Sequence, residues 1–395
     1  MQSLADPASD LLVTLTPERQ AAALDLINYM LVEGTKAEDA DTVLCGMCDR
    51  IRGAGLPLER ASSIVPLLHA EAAASARFWE HGSGARSYAF PYVASGTEYD
   101  RSPAAVVHST GEWLILWLPD TPEDAYSIVP ELKQDGYTHY VMMPVFMRSG
   151  MANTFSFATR AAEGFTDADF AFFRAIFPAI AATQEILATH RMLSEAIRMY
   201  VGTEPGEHIL KGDVHRGEVM RTQAAILFAD MRGFTQLTSD MEAEAATALL
   251  NAYYDCVVPH VEAAGGEVLK FIGDGILAVF RDTGDAAETC ARALEAARAA
   301  LEAVDAYEGA PRFSVGIGLH YGEAAYGNVG SGARLDYTVI GRDVNLAARV
   351  AGLCGALEAP LILSEAFQAL TGGTGRSLGP QRLKGLSGMP EVFVA

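Results

Sequence analysis

Lys270 to Phe280 reads KFIGDGILAVF, in which two short apolar runs flank the triplet Gly273-Asp274-Gly275. Glycine and aspartate between apolar runs are typical of a tight β-hairpin turn. The sequence therefore predicts two paired strands with Asp274 at the turn. Aspartate is common in such turns for its backbone preferences alone, so this residue has either a purely structural role or a role in binding.

The elements around this hairpin alternate regularly between strand and helix. A buried strand ending at Asp230 comes first, followed by the helix EAEAATALLNAYYDCVVPHVEAAG. After the hairpin come the amphipathic helix DAAETCARALEAARAALEAVDAY and the segment RFSVGIGLHYGEAAYGNVG, which reads as a strand, a bend and a second strand. DVNLAARVAGLC predicts a further helix, capped by Asp343. This order predicts a ferredoxin-like α+β sandwich.

In that fold the end of the first strand lies beside the hairpin, so Asp230 and Asp274 come together. Two carboxylates that converge at one end of a sheet either raise each other's pKa or bind cations. Mg²⁺ prefers a few carboxylates together with the oxygens of a phosphorylated substrate. Each aspartate alone has an ordinary explanation, as a cap or a turn residue. Together they predict a site for two divalent cations.

Three segments in this region resemble the signature segments of class III nucleotidyl cyclases. They are FADMRGFT, KFIGDGILAVF and RLDYTVIGRDVNLAARV, in the family's order and at plausible spacing. The similarity extends over roughly residues 222 to 395. It implies a ferredoxin-like class III cyclase catalytic domain that makes cyclic AMP or cyclic GMP from a nucleoside triphosphate. It also implies Mg²⁺ or Mn²⁺ as cofactor, with two ions per active site.

The resemblance assigns metal and base contacts to particular residues. Asp230 and Asp274 match the two metal-binding aspartates of the family, and the backbone carbonyl of Met231 matches a further metal ligand. Lys270 and Thr338 match the two positions that read the purine base.

The remaining positions match residues that act on the ribose and the phosphates. Asn345 and Arg349 match the pair that orients the ribose and stabilises the transition state. Their spacing of four residues places both on one face of a helix. Lys384, in RLKGLSG, matches the lysine that binds the triphosphate, and Arg334 lies where the family often has another phosphate-binding arginine. No side chain is identified as a general base.

The base-reading pair favours ATP over GTP. A lysine at 270 donates to adenine N1, and a threonine hydroxyl at 338 accepts from the adenine amino group. Guanylate cyclases usually have Glu and a small Cys-like residue there, whereas many adenylate cyclases have Asp at the second position and a largely bacterial subgroup has Thr. The sequence predicts an adenylate cyclase. The alternatives are a guanylate cyclase and a silent cyclase-like regulatory module, which the intact metal aspartates and Asn345/Arg349 pair disfavour.

The resemblance also predicts a homodimer. In the family the metal aspartates come from one subunit, and the base-reading, ribose and triphosphate residues come from the other. This chain contains both sets, so a head-to-tail homodimer has two complete sites and a monomer has none.

The N-terminal half predicts a regulatory region. Residues 17 to 80 read as helical, with Thr16 as N-cap and Pro17 at the first helical position. Residues 86 to 160 read as strands, and a long helix follows to about Tyr200. FSFATRAAEGFTDADFAFF resembles the last strand and helix of a GAF-like sensory domain; a PAS-like or unrelated α+β domain is the alternative. The sequence does not identify the regulator of this region, which is either a small molecule or a protein.

The predicted organisation thus has four parts: an N-terminal helical region over residues 1 to 85, a GAF-like α+β domain over 86 to 200, a connector over 201 to 221 and the cyclase domain over 222 to 395.

Composition excludes several other classes of protein. The 395 residues include 29 basic and 50 acidic ones, a net charge of −21, which disfavours nucleic-acid binding. No run of about 18 apolar residues indicates a membrane span, and no signal peptide is recognised. The five scattered cysteines predict a reducing cytoplasm. Cys45 and Cys48 form a lone CxxC, interpreted as ordinary buried thiols rather than a zinc or redox site. His320 lies near the GLHYGEA bend, where it could approach the active site, and is interpreted as structural.

Overall fold

The computed structural model describes residues 12, 14–68, 72–91, 97–213, 215, 217, 219–331, 335–373, 375–383 and 388–395. The chain divides into two compact units, Met1–Ala196 and Ile197–Ala395. One continuous helix contains the boundary between them.

The N-terminal unit is built on one antiparallel six-stranded sheet in the order β3-β2-β1-β6-β5-β4. Its strands are β1 (Arg60–Pro66), β2 (Ala72–Glu80), β3 (Gly84–Pro91), β4 (Leu114–Trp117), β5 (His139–Phe146) and β6 (Ala152–Thr159). Its helices are α1 (Pro17–Asn28), α2 (Ala40–Gly53), α3 (Thr97–Asp100), α4 (Pro103–Thr110), α5 (Val129–Gln134) and α6 (Asp167–Val201).

Helices cover both faces of this sheet. Leu26 of α1, Met47 of α2 and Phe173 of α6 are buried with Phe157 of β6 in the core on one face. α4 and α5 form a second core on the other face. The predicted start of α1 is confirmed, because Thr16 caps it and Pro17 opens it.

The long helix α6 is confirmed close to its predicted length. Thr166 and Asp169 hydrogen-bond each other's backbone amides at its start, a reciprocal cap of the first turn. By length and apolar content this helix is able to cross a membrane, with a mean hydropathy of 1.3 over 18 residues. Phe172, Phe173 and Ile176 are nevertheless buried in the core of this unit, which is the usual position of a core helix.

The helical prediction for residues 57 to 80 is wrong. Most of this stretch forms β1 and β2, and β2 pairs on both sides, with Ser62 opposite Phe78 and Phe78 opposite Arg86. The Ala-rich sequence of β2 favours helix locally, but pairing with two neighbouring strands overrides that preference. Residues 1 to 85 are therefore not a separate helical region, since α1, α2 and β1 to β3 belong to the unit of the sheet. The GAF-like assignment remains a prediction.

The C-terminal unit confirms the ferredoxin-like fold. Its elements run β7-α9-β8-β9-α10-β10, and the sheet order is β13-β14-β12-β10-β7-β9-β8, with β11 on β10. The strands are β7 (Val219–Met231), β8 (Glu267–Ile272), β9 (Gly275–Arg281), β10 (Val315–Gly330), β11 (Leu335–Ile340), β12 (Leu361–Ser364), β13 (Arg376–Pro380) and β14 (Glu391–Val394). The helices are α7 (Thr203–Lys211), α8 (Phe234–Leu237), α9 (Ala243–Ala263), α10 (Ala286–Ala306), α11 (Arg342–Ala351), α12 (Leu353–Ala356) and α13 (Glu365–Leu370).

The two faces of this sheet are covered by different elements. α9 and α10 pack on the face of Leu227. β11 and α11 pack on the opposite face, where Ile226, Val339 and Ala347 share one core. Because strand side chains alternate between faces, Asp230 lies on the same face as Ile226. The C-terminal half of the chain therefore presents Asp230 on the face that also holds α11.

Three local predictions in this unit are wrong. The segment read as two strands is the single 16-residue strand β10, since it pairs with β7 without interruption from Val315 to Gly327. Asp343 is not the cap of α11: the helix begins at Arg342 after Gly341, and the carboxylate of Asp343 accepts from the backbone N–H of Glu323. The predicted connector over 201–221 contains α7 and the first residues of β7.

The five cysteines are free thiols, and of the CxxC pair Cys48 is buried and Cys45 partly buried. Cys48 is fully buried in the N-terminal core, and burial raises its pKa well above the usual value. Burial also raises the pKa of Cys45. Thiols with raised pKa values are poor nucleophiles and poor metal ligands at neutral pH.

Candidate active site

The turn between β8 and β9 consists of two residues. Ile272 pairs with Gly275, so Gly273 and Asp274 form the loop. Gly273 has a φ of +64°, as the first loop position of a type II′ turn requires. The hydroxyl of Tyr254, from α9, donates to the Gly273 carbonyl at 2.7 Å. The turn is thus fixed to the helix beside it, and Asp274 lies at the end of the sheet where β8 and β9 are joined.

Asp230 lies at the same end of the sheet, because its partner across the β7–β9 pairing is Gly275. The pKa of Asp230 is raised to about 6, first by partial desolvation and then by the charge of Asp274 and a hydrogen bond with it. The Asp230 side chain nevertheless retains access to solvent, so screening moderates this effect. The structure therefore brings the two predicted metal-binding aspartates together.

The donor set at this corner fits a hard divalent cation. Met231 follows Asp230, and its side chain is buried in the core, so its contribution to a site is limited to the backbone carbonyl. Across the described ranges, no cluster of three or more His, Cys, Asp or Glu side chains is found. Two carboxylates and a carbonyl are oxygen donors of the kind that hard divalent cations prefer.

Lys270 and Thr338 lie on neighbouring parts of the C-terminal unit. The ammonium of Lys270, on β8, forms an ion pair with Asp336 of β11. Thr338 is two residues further along β11, so it shares a strand face with Asp336. Asp336, which the sequence interpretation missed, therefore pairs with Lys270 and lies on the same strand face as Thr338. The alternation of β11 could have found it, since any side chain two residues from Thr338 lies on the same face.

Asn345 and Arg349 project from α11. The apolar side of the helix, with Val344 and Ala347, is buried. Asn345 is exposed and Arg349 half-buried, and among the described residues their side chains have no hydrogen bond or ion pair. Both are therefore available to a substrate. No hydrogen bond or ion pair in the described part of the chain joins either residue to Asp230.

Two of the predicted phosphate-binding residues, Arg334 and Lys384, lie outside the described residues.

His320 lies close to the predicted catalytic helix, in agreement with the expectation that it could approach the active site, and its structural role stays a prediction. It is 4% exposed on β10, and its Nε2 is 3.7 Å from Oδ1 of Asp343 in the first turn of α11. Burial lowers the pKa of His320, and Asp343 partly offsets that effect. Neither the contact nor its position beneath α11 has a signal in the linear sequence, because strand and helix are brought together only by the fold.

Comparison with known proteins identifies the same region. The family model of the adenylate and guanylate cyclase catalytic domain matches residues 219–379. The chain is 36% identical over 163 residues to an adenylate cyclase of Anabaena cylindrica, an alignment that covers 39% of this chain and 32% of the relative. The chain thus spans about a third of the length of this curated relative.

Solved structures include similar catalytic domains of both substrate classes. The adenylyl cyclase CyaB from P. aeruginosa is 30% identical, with a TM-score of 0.41 over 45% of this chain and 94% of that one. The guanylyl cyclase Cya2 is 26% identical, with a TM-score of 0.37 over 45% of this chain and 93% of that one.

Proposed function

Residues 219–379 of this chain belong to the adenylate and guanylate cyclase catalytic domain family, and from this premise we propose that the protein is an adenylate cyclase. It converts ATP to 3′,5′-cyclic AMP and pyrophosphate. The observation that supports cyclase chemistry most directly is the convergence of Asp230 and Asp274 at one end of the sheet.

Divalent metal ions held by Asp230, Asp274 and the Met231 carbonyl would lower the pKa of the attacking 3′-hydroxyl and hold the triphosphate. The raised pKa of Asp230 supports a site built for cations, because a bound cation removes the repulsion between the two carboxylates.

The side chains of α11 act on the sugar and the reacting phosphate. Asn345 orients the ribose so that the 3′-oxygen is in line with the leaving pyrophosphate. Arg349 stabilises charge that develops on the α-phosphate, an effect worth several kcal/mol in comparable sites, on the order of 3 kcal/mol. Lys384 and Arg334 bind the triphosphate by direct charge pairing.

Base selection falls to Lys270 and Thr338. The ammonium donates to adenine N1, and the threonine hydroxyl accepts from the adenine amino group. Guanine presents the reverse pattern, a donor at N1 and an acceptor at O6, so it leaves both groups mismatched. The second candidate is a guanylate cyclase, and a hydroxyl that also donates at position 338 is the feature that favours it.

We place the complete site at the interface of a homodimer. One subunit supplies Asp230 and Asp274, and the other supplies Lys270, Thr338 and α11. This arrangement follows the division of roles between subunits in the cyclase family that residues 219–379 match.

The test is an assay of the full chain with ATP or GTP and Mn²⁺. We expect cyclic AMP from ATP as the main product, and Asp274→Ala should lower turnover by at least about a hundredfold. Retention of full turnover by this variant would overturn the mechanism. A higher kcat/KM with GTP than with ATP would replace adenylate with guanylate cyclase.

Complementation tests the dimer. Asp274→Ala and Arg349→Ala damage opposite halves of each site, so a mixed dimer has one intact site. Co-expression should restore about a quarter of wild-type turnover, because random pairing gives about half mixed dimers with one of two sites intact. No recovery in a mixture shown to exchange subunits would contradict the shared site.

We further propose that the N-terminal unit is a GAF-like regulatory domain. Its six-stranded sheet with a helical layer on each face is compatible with that assignment, and α6 connects it directly to the cyclase unit.

A further inference from the structure

One face of β10 has almost no side chains where α11 and α12 pack on it. Gly316, Gly318 and Gly322 alternate along this face, and a Cβ atom on any of them would come within 2.6 Å of an atom of these helices. The position between the last two is His320. The helices therefore pack directly against the strand backbone. Among positions 316, 318, 320 and 322, His320 is the residue with a side chain beyond Cα.

His320 contacts a different element through each ring nitrogen. Its Nδ1 is 2.8 Å from the hydroxyl of Ser364, which caps α13. Its Nε2 faces Oδ1 of Asp343 at 3.7 Å and has no hydrogen-bond partner among the described residues. A buried nitrogen without a partner is costly, so this one requires an explanation.

The partners assign the position of the ring proton. The Ser364 hydroxyl can donate to Nδ1 or accept from it, but an unprotonated Nε2 would turn its lone pair toward the carboxylate of Asp343. The arrangement that avoids this repulsion has the Ser364 hydroxyl donating to Nδ1 of His320. Nδ1 is then the acceptor, and the neutral ring has its proton on Nε2. Burial lowers the pKa of His320, in agreement with a neutral ring. The N–H bond therefore points toward the carboxylate of Asp343.

Asp343 is tied to β10 at a second point. Its Oδ2 accepts from the backbone N–H of Glu323 at 2.8 Å. It is also the second residue of α11, two residues before Asn345 and six before Arg349. Any change in the contact between Asp343 and β10 therefore moves the helix that holds both proposed catalytic side chains.

We propose that His320 and Asp343 are positioning residues that fix the first turn of α11 on β10 and so set the placement of Asn345 and Arg349. Neither touches the substrate. The inference rests on the proposed function for its effect on turnover, but the contact between strand and helix is independent of which nucleotide is used.

Two substitutions separate the roles of the ring nitrogens. In His320→Gln the amide nitrogen reaches the place of Nε2, so the donor to Asp343 is kept and the contact with Ser364 is lost. In His320→Asn the amide reaches only the place of Nδ1, so the contact with Ser364 is kept and the donor to Asp343 is lost. Both variants lose one buried contact, and each is therefore the structural control for the other.

The expected result is a difference in kcat without a matching difference in stability. His320→Asn should lower kcat by about tenfold or more, as small displacements of catalytic groups do, with the KM for ATP changed by less than about threefold. His320→Gln should keep kcat within about threefold of wild type, and the two melting temperatures should be similar. Asp343→Ala should lower kcat at least as much as His320→Asn, because it also loses the contact with the Glu323 N–H, and the double variant should lose no more than Asp343→Ala alone.

Amide hydrogen exchange gives a readout that needs no turnover. In the metal-free and nucleotide-free protein, α11 should exchange faster in His320→Asn than in His320→Gln. Equal exchange in the two variants, equal kcat values, or kcat losses that simply follow melting temperature would overturn the proposal. A wild-type protein that makes no cyclic nucleotide would instead contradict the proposed function, and the exchange experiment would still decide the role of His320.

Discussion

Asp230 and Asp274 share one corner of the sheet although 44 positions separate them in the chain, and their proximity helps to raise the pKa of Asp230 to about 6. A carboxylate must lose its proton before it binds a metal. Protons and metal ions therefore compete at this corner within the physiological pH range.

This competition predicts the pH dependence of Mn²⁺ binding. Between pH 7 and pH 5 the free protein should lose about tenfold in Mn²⁺ affinity, because Asp230 becomes protonated. Titration of Mn²⁺ against the melting temperature at each pH measures the affinity. Asp274→Asn should weaken binding at every pH. Equal affinities at pH 5 and pH 7 in the wild type would contradict the prediction.

The same raised pKa predicts that Asp230 destabilises the metal-free fold. Its folded pKa lies above the unfolded value of 3.8, so the folded state binds the proton more tightly. The contribution of Asp230 to the free energy of unfolding therefore decreases as the pH rises from about 4 through 6. Asp230→Asn should stabilise the metal-free protein at pH 8 by about 1 kcal/mol after solvent screening.

Urea denaturation at pH 8 and pH 4 checks the effect of Asp230→Asn, which should vanish at the lower pH. Asp255→Asn, at an exposed position of α9, is the matched control and should be neutral at both. A loss of stability in Asp230→Asn at pH 8 would show that the carboxylate makes a favourable contact in the folded state.

The ion pair between Lys270 and Asp336 predicts a modest effect on substrate binding. Both side chains are partly exposed, and exposed pairs contribute about 1 kcal/mol or less. Asp336→Asn should therefore change the KM for ATP by no more than about fivefold, whereas Lys270→Ala should raise it further. Steady-state kinetics with both variants measures the difference.

The control for this pair is Arg221→Gln, which breaks another exposed ion pair of the same unit, with Glu323, and should leave the KM unchanged. A larger effect of Asp336→Asn than of Lys270→Ala would show that Asp336, rather than Lys270, makes the principal contact with the base.

The close packing of α11 on Gly318 predicts that a methyl group added there destabilises the protein. A Cβ atom there would lie 2.3 Å from the backbone nitrogen of Ala351, so Gly318→Ala must displace the helix and should destabilise the protein by about 2 kcal/mol. Gly355→Ala is the matched control, since its Cβ would meet nothing within 4 Å. Urea denaturation compares the two, and equal stabilities would contradict the close packing.

The two-unit organisation predicts that removal of the N-terminal unit changes turnover. Residues 197–395 have their own core and should fold alone. If the N-terminal unit regulates, turnover of this fragment should differ from that of the full chain by at least about fivefold, at equal dimer content. Equal turnover with equal dimerisation would argue against regulation by the N-terminal unit.

Local patterns predicted much of the C-terminal unit and less of the N-terminal one. The Gly273-Asp274 turn and the helices α9 and α10 follow from turn chemistry and amphipathic spacing, which are properties of short segments. The strand β2 was missed because its alanines favour helix, and only its two neighbouring strands decide otherwise. The link between His320 and Asp343 was missed for the same kind of reason, because it exists only once α11 lies on β10.

The glycines of β10 also determine which part of the chain carries the entropic cost of packing α11 and α12 on this strand. Glycine loses the most backbone entropy on folding, so forming this strand is unfavourable by that measure. At Gly316, Gly318 and Gly322, the contact with α11 and α12 orders no side chain of the strand, because glycine has none. The entropic cost at these three positions therefore lies in the backbone, and the contact with the helix that holds Asn345 and Arg349 requires no ordering of side chains there.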